Sequence, residues 1–68
     1  MKYAVLIEKG PRSYGAYVPD LPGCIATGDT REAVTRLIRS ALRLHIQFMR
    51  ERGDRVPRPT SHCAYVEV

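Results

Sequence analysis

Hydrophobic and polar residues alternate along the first third of the chain. Residues 2–8 and 14–18 are rich in β-branched and aromatic side chains, so both segments are predicted to be strands. Pro19 ends the second strand, because proline donates no hydrogen bond to a sheet. A third, short strand is predicted at residues 24–28, after a Leu-Pro-Gly turn. Short connections between the three strands favour an antiparallel meander.

Residues 30–52 show the clearest pattern, with apolar positions at the spacing of an α-helix. Asp29 or Thr30 is predicted to cap the start of this helix, and Gly53 is predicted to end it. One apolar stripe is expected to pack on the sheet. This stripe consists of Val34, Leu37, Ile38, Ala41, Leu42, His45, Phe48 and Met49.

The last part of the chain returns to an extended pattern. Pro57 and Pro59 exclude a helix between residues 54 and 60. Residues 62–68 alternate like a strand, which we expect to pair parallel to the first strand. The predicted fold class is therefore α+β, in the order β-β-β-α-β, with the helix on one face of the sheet. The other face is expected to expose apolar side chains and thus to need a partner; the candidates are Ala4, Leu6, Tyr17, Ile25 and Tyr65.

The length of 68 residues limits the chain to one domain, residues 1–68. A domain of this size buries only about 60% of its unfolded surface, so oligomerisation is the expected source of additional stability. The sequence shows neither a signal-peptide pattern nor the ~18 apolar residues of a membrane span. We therefore expect a soluble, cytoplasmic protein with reduced thiols.

Candidate catalytic and metal-binding residues are few. Glu8 and Asp20 end neighbouring predicted strands and could approach each other, but a two-metal nuclease needs more carboxylates than these two. Solvated strand ends are the simpler interpretation. We expect no catalytic residue, metal or cofactor, because zinc-site spacing is missing among the four possible nitrogen and sulfur ligands. These are Cys24, His45, His62 and Cys63.

Basic residues outnumber acidic ones by 11 to 7, which gives a formal net charge of +4. Four arginines share the polar side of the predicted helix: Arg36, Arg39, Arg43 and Arg50. Such a stripe can follow nucleic-acid phosphates with salt-sensitive affinity. It can equally be a solvated helix face, and the pattern leaves both alternatives open.

Several segments together resemble the N-terminal domain of HicB-type antitoxins: YAVLIE, YGAYVPDLPGC, GDT, ALRLHI and VPRP. The resemblance runs from residue 2 to about residue 60. It implies a partial ribonuclease H-like fold and a non-enzymatic protein that neutralises a HicA-type, mRNA-cleaving toxin. It also implies a homo-oligomer, a dimer or a tetramer. Family members usually add a C-terminal DNA-binding domain, and because this chain ends at Val68 we expect the short, stand-alone form.

The turn after the second strand is the predicted site of partner binding. Aromatic and rigid residues suit an interface anchor, because they lose little conformational entropy on binding. Asp20 could meet a basic group of the toxin. The predicted partner-binding residues are Tyr14, Tyr17, Pro19, Asp20, Leu21 and Pro22.

Overall fold

The computed structural model describes residues 1–68 as a small sheet followed by one helix. The strands are β1 (Leu6–Lys9), β2 (Tyr14–Tyr17) and β3 (Ile25–Gly28), and the helix is α1 (Arg31–Glu51). The sheet order is β1-β2-β3, and both neighbouring pairs are antiparallel. The predicted α+β class, the meander and the helix are confirmed.

The register of the sheet brings one residue of each strand into line on each face. The residues that face α1, called here the inner row, are Ile7, Ala16 and Ala26. The residues on the opposite face, called here the outer row, are Leu6, Tyr17 and Ile25. Successive side chains of a strand point to opposite faces, so each row has a single environment.

The buried core lies between the sheet and the first half of α1. It contains six apolar side chains: Ala16, Val18, Leu21, Cys24, Val34 and Ile38. Three of these six come from the connection between β2 and β3 rather than from a strand. The connection is therefore part of the core and not a loose surface loop.

Both ends of α1 are capped as the sequence predicts. The Thr30 hydroxyl oxygen accepts a hydrogen bond of 3.0 Å from the Ala33 N–H, which satisfies one free donor of the first turn. At the other end Gly53 adopts a φ of 77°, a left-handed conformation that favours glycine. The N–H groups of Gly53 and Asp54 then donate to carbonyls of the last turn.

The predicted apolar stripe of α1 is only partly covered. Val34 and Ile38 are buried, whereas Leu37 and Phe48 remain about half exposed, as does Leu44. The reason is a difference in length. A helix of 21 residues spans about 31 Å, while strands of four residues span only about 13 Å.

The predicted fourth strand is not confirmed, since residues 62–68 form no strand and pair with no part of the sheet. Residues 55–68 make no backbone–backbone hydrogen bond at all. The segment leaves the helix in an extended form, and Val56, Pro57 and Pro59 are half-buried on the way. No part of α1 has the continuous apolar stretch that a membrane-crossing helix requires.

Candidate partner-binding surface

The connection between β2 and β3, residues 18–24, is called here the corner. Three backbone hydrogen bonds of 3.0–3.1 Å close it: Val18 N–H to the Cys24 carbonyl, Leu21 N–H to the Val18 carbonyl, and Cys24 N–H to the Leu21 carbonyl. Gly23 supplies the left-handed turn with a φ of 89°. The Leu21 side chain is only 1% exposed. The corner is therefore a rigid element that the core holds from below.

Asp20 projects from the corner and binds the C-terminal part of the same chain. Its carboxylate accepts four hydrogen bonds, two from the N–H groups and two from the hydroxyls of Thr60 and Ser61, at 2.8–3.0 Å. The bonds from Ser61, first the N–H and then the hydroxyl, are the main reason that the pKa of Asp20 is lowered to about 2. The Asp20 carboxylate is thus occupied by its own chain.

The outer row forms an exposed apolar line across all three strands. Leu6 is 40% exposed, Tyr17 39% and Ile25 69%, and no second layer covers them. An open groove of about 830 Å³ runs along the same side of the sheet and includes Tyr17, Ile25 and Pro22. The expectation that Leu6, Tyr17 and Ile25 lie exposed on the face opposite the helix is confirmed.

The structure brings together only part of the predicted partner-binding set. Tyr17 and Pro22 are exposed on the outer side, and Pro19 lies half-buried beside them. Tyr14 lies on the inner side, where it packs against the core. Leu21 is buried. Whether these residues bind a partner stays a prediction, but the exposed members all belong to the outer side.

Sequence reasoning left Leu6 and Ile25 out of the predicted site, although strand alternation already placed them beside Tyr17. The predicted site is centred on one turn, while the exposed line crosses three strands. Thr60 and Ser61 gave no signal of their own. Their contact with Asp20 spans 40 residues of chain, and no local pattern encodes it.

The four arginines of the helix stripe are all exposed, as the helical spacing predicts. None of them forms a salt bridge with a carboxylate. The salt bridge of the chain joins two other residues, Arg52 and Asp54, at 2.9 Å. The stripe therefore presents its positive charge to the solvent with no carboxylate at salt-bridge distance. Its members are Arg36, Arg39, Arg43 and Arg50.

The structure does not assemble the residues that could carry catalysis. Glu8 lies opposite Gly15 in β2, whereas Asp20 lies in the turn beyond the far end of β2 and binds Thr60 and Ser61, so the two carboxylates form no common site. Cys24 is buried, and burial raises the pKa of its thiol, which disfavours the reactive thiolate. Cys63 is exposed. No three His, Cys, Asp or Glu side chains converge on one point.

Comparison with known proteins gives related chains from a virus, an archaeon and a bacterium. An uncharacterized 14.9 kDa protein from the rep-hol intergenic region of Haemophilus phage HP1 is 36% identical over 97% of this chain and 50% of its own length. A UPF0150 protein of Thermoplasma acidophilum is 36% identical over 85% of this chain and 86% of its own length. Antitoxin HicB 2 of Photorhabdus laumondii is 33% identical over the whole of this chain. The chain spans about half the length of the phage protein and of Antitoxin HicB 2.

A comparison with solved structures gave no match. A protein-family model described as the HicB_like antitoxin of bacterial toxin-antitoxin systems matches residues 3–67. The match includes the three strands, the corner, the helix and the extended C-terminal segment. The chain therefore belongs to the HicB-like antitoxins of bacterial toxin-antitoxin systems.

Proposed function

We propose that residues 1–68 form one antitoxin domain that binds a HicA-type, mRNA-cleaving toxin and neutralises it by direct contact, without catalysing a reaction. Membership of the HicB-like antitoxin family across residues 3–67 is the observation that carries this proposal. The separation of Glu8 from Asp20 and the buried position of Cys24 agree with a binding role.

The outer row is the surface that we assign to the toxin. Protein interfaces place large apolar or aromatic side chains at the centre and polar residues at the rim. Leu6, Tyr17 and Ile25 supply such a centre, and Glu8 and Thr27, which follow them on the same face, supply polar rim groups.

The corner supports this surface from the side. Its hydrogen bonds and the buried Leu21 side chain fix the exposed Pro22 relative to Tyr17. A surface that is already rigid loses little conformational entropy on binding, so more of the contact energy appears as affinity. Within the predicted set, Tyr14 and Leu21 then act through packing, while Tyr17, Pro19 and Pro22 meet the toxin and Asp20 borders the contact.

The test measures binding of the toxin encoded beside this protein's gene, or of a purified HicA-type toxin, by isothermal titration calorimetry. The variant Tyr17→Asp should weaken binding by about 100-fold, because it places a charge at the centre of an apolar contact. Its thermal stability should remain near that of the wild type, since Tyr17 is not part of the buried core. Leu44→Asp is the matched control, because it adds the same charge to a half-exposed apolar residue on α1.

Two results would contradict the proposal at different levels. If Tyr17→Asp binds the toxin with wild-type affinity, the outer row is not the toxin-binding surface, while the proposal that the protein binds a toxin still stands. If the wild-type protein binds neither the neighbouring toxin nor a HicA-type toxin at micromolar concentrations, the antitoxin mechanism itself fails.

A second candidate function is nucleic-acid binding by the arginine stripe, which the lack of carboxylate partners for its four side chains favours. Each phosphate contact adds about −0.9 to the slope of log affinity against log salt on double-stranded DNA. The double variant Arg39→Gln/Arg43→Gln should therefore make this slope less steep by the amount that corresponds to about two phosphate contacts. Arg58→Gln, an exposed arginine outside the stripe, should leave it unchanged. The second candidate fails if neither RNA nor DNA binds at low salt.

A further inference from the structure

Residues 62–68, called here the arm, expose apolar side chains to an unusual degree for so small a protein. Every residue of the arm is exposed, including Tyr65 at 98% and Val66 at 82%. The arm also has the alternating pattern of a strand. Isolated strands are not stable in water, so an exposed segment with this pattern needs a sheet to pair with.

The backbone of the arm and the backbone at one edge of the sheet both lack partners. Residues 55–68 make no backbone–backbone hydrogen bond. β1 pairs with β2 on one side only, so the N–H and C=O groups of its other edge are free. Free strand edges are templates for pairing with another strand. The arm and the β1 edge are therefore complementary in hydrogen-bonding capacity.

Two anchors keep the arm away from the β1 edge of its own subunit. The Tyr3 hydroxyl donates to the Pro57 carbonyl, and the Asp20 carboxylate binds Thr60 and Ser61. Asp20 belongs to the corner that follows β2, so it lies on the opposite side of β1 from the free edge. The chain thus crosses the end of β1 instead of running along it.

The dimensions of the molecule agree with an arm that leaves the body. A compact chain of 68 residues has an expected radius of gyration of about 11 Å. The observed value is 13.0 Å, and the longest extent of the molecule is 40 Å. The family model also continues to residue 67, which makes the arm a regular part of the domain.

We propose that the arm of each subunit pairs with the free edge of β1 in a second copy of the chain. The exchange is reciprocal, as a two-fold dimer requires, and it adds a fourth strand to each three-stranded sheet. The predicted parallel order allows a register with residue 62 beside Ala4, which we propose because it brings Glu67 next to Lys9 and so pairs opposite charges across the strands. The fourth strand is thus supplied by the partner chain, while the outer row stays open.

The first experiment measures the mass of the full chain by sedimentation velocity over a range of concentrations. The wild type should sediment with twice the 7.7 kDa mass of one chain or a multiple of it. The double variant Ala64→Pro/Val66→Pro removes two N–H donors and blocks strand pairing. The dissociation constant of its dimer should therefore be at least tenfold higher than that of the wild type. Both positions are exposed, so the monomer should still fold.

Ile25→Asp serves as the matched control, because it changes an exposed apolar residue of the outer row away from β1. Ile25→Asp should weaken toxin binding and leave the dimer intact. The proline variant should not dimerise, but its outer row should still be able to bind the toxin. A wild-type monomer, or a proline variant with wild-type mass, overturns the exchange. Neither result touches the antitoxin proposal, which is read from toxin binding.

The second experiment uses Cys63, the exposed thiol of the arm, as a reporter of strand position. With residue 62 beside Ala4, Cys63 lies beside Val5 and on the same face of the sheet, so Val5→Cys should form an interchain disulfide on mild oxidation. Lys9→Cys, on the same face but four residues further along the chain, should form much less. Equal or absent cross-linking in the two variants contradicts the proposed register. A cross-link only within one chain shows instead that the arm folds back on its own β1.

Discussion

The inner and outer rows of the sheet come from the same three strands and differ in what covers them. Under the helix, two of the three inner residues are alanine, and the row is buried or half-buried. On the open face the residues are leucine, tyrosine and isoleucine, and all three are exposed. Large apolar residues are usually the buried ones. Here the larger side chains lie on the uncovered face, and this contrast is the reason that we assign the outer face to a binding partner.

The size of the inner residues follows from how closely α1 approaches the sheet. At Gly28, the last residue of β3, an added Cβ atom would lie 2.8 Å from the Val34 backbone nitrogen. The helix begins three residues later, so the chain has almost no room to move the two elements apart. Short side chains on the inner row let the helix reach the sheet. The outer row has no such restriction.

The largest expected effect comes from removing a side chain beneath the helix. Ile38 is 3% exposed, so Ile38→Ala should lower the free energy of unfolding by about 2–5 kcal/mol. The core has only six buried side chains, and such a loss should leave much of the chain unfolded at 37 °C. Urea denaturation followed by circular dichroism measures the change.

Leu44→Ala is the control for this measurement, because Leu44 lies on the same helix but is half exposed. Its cost should stay below about 1 kcal/mol. If the two variants lose equal stability, Leu44 is as well buried in solution as Ile38, and the contrast between a covered and an uncovered side of α1 is wrong.

The second prediction compares two glycines of neighbouring strands that face opposite ways. Gly28→Ala should cost about 1–3 kcal/mol, because the new methyl group meets the backbone of Val34. Gly15 lies on the outer face, where an added Cβ atom would meet nothing within 4 Å. Gly15→Ala should therefore be neutral or slightly stabilising, since alanine loses less entropy than glycine on folding.

Thermal unfolding of the two variants at equal protein concentration measures this difference. Both glycines have negative φ values, so backbone strain does not enter the comparison. A destabilised Gly15→Ala with an unchanged Gly28→Ala would reverse the assignment of the two faces. In a toxin-binding assay Gly15→Ala also reports whether the toxin approaches the sheet closely at this point.

The elements with local signals could be predicted from the sequence, and those fixed by distant contacts could not. Thr30 and Gly53 bound the helix because each acts within a few residues of its own position. Alternation likewise placed Tyr17 on the outer face. The same kind of pattern predicts a fourth strand at residues 62–68, but strand pairing also depends on the path of the chain after the helix. The contact between Thr60 and Asp20, 40 residues apart in sequence, helps to fix that path.

The candidate site shows the same limit. Rigid and aromatic residues around the corner pointed to a binding surface, and burial then divided them. Leu21 faces the core because the corner closes over it, which the apolar character of the residue alone does not reveal. Asp20 resembles a free surface charge in the sequence and is a hydrogen-bond acceptor for the chain itself. Charge and hydropathy identify candidates, whereas the tertiary fold decides which of them face solvent.

The smallest effect concerns Asp20, which joins the corner beside the outer row to the base of the arm. Its carboxyl has a pKa lowered from 3.8 to about 2 because the ionised form accepts hydrogen bonds from Ser61 and Thr60. Because the pKa is lowered, the ionised Asp20 carboxylate makes its full contribution to folding stability above about pH 4. This contribution is lost as the pH falls through about 2. The contact is therefore intact at neutral pH.

Carbon-detected NMR of the Asp20 carboxyl group between pH 5 and pH 1.5 should give a midpoint near 2. The amide signals of Thr60 and Ser61 should shift with the same midpoint, because both N–H groups donate to this carboxylate. The double variant Thr60→Ala/Ser61→Ala, which removes both hydroxyl donors, should move the midpoint upward towards 3.8. A wild-type midpoint at 3.8 would mean that the arm is free of the corner, and then only the Tyr3–Pro57 contact would hold the chain away from the β1 edge of its own subunit.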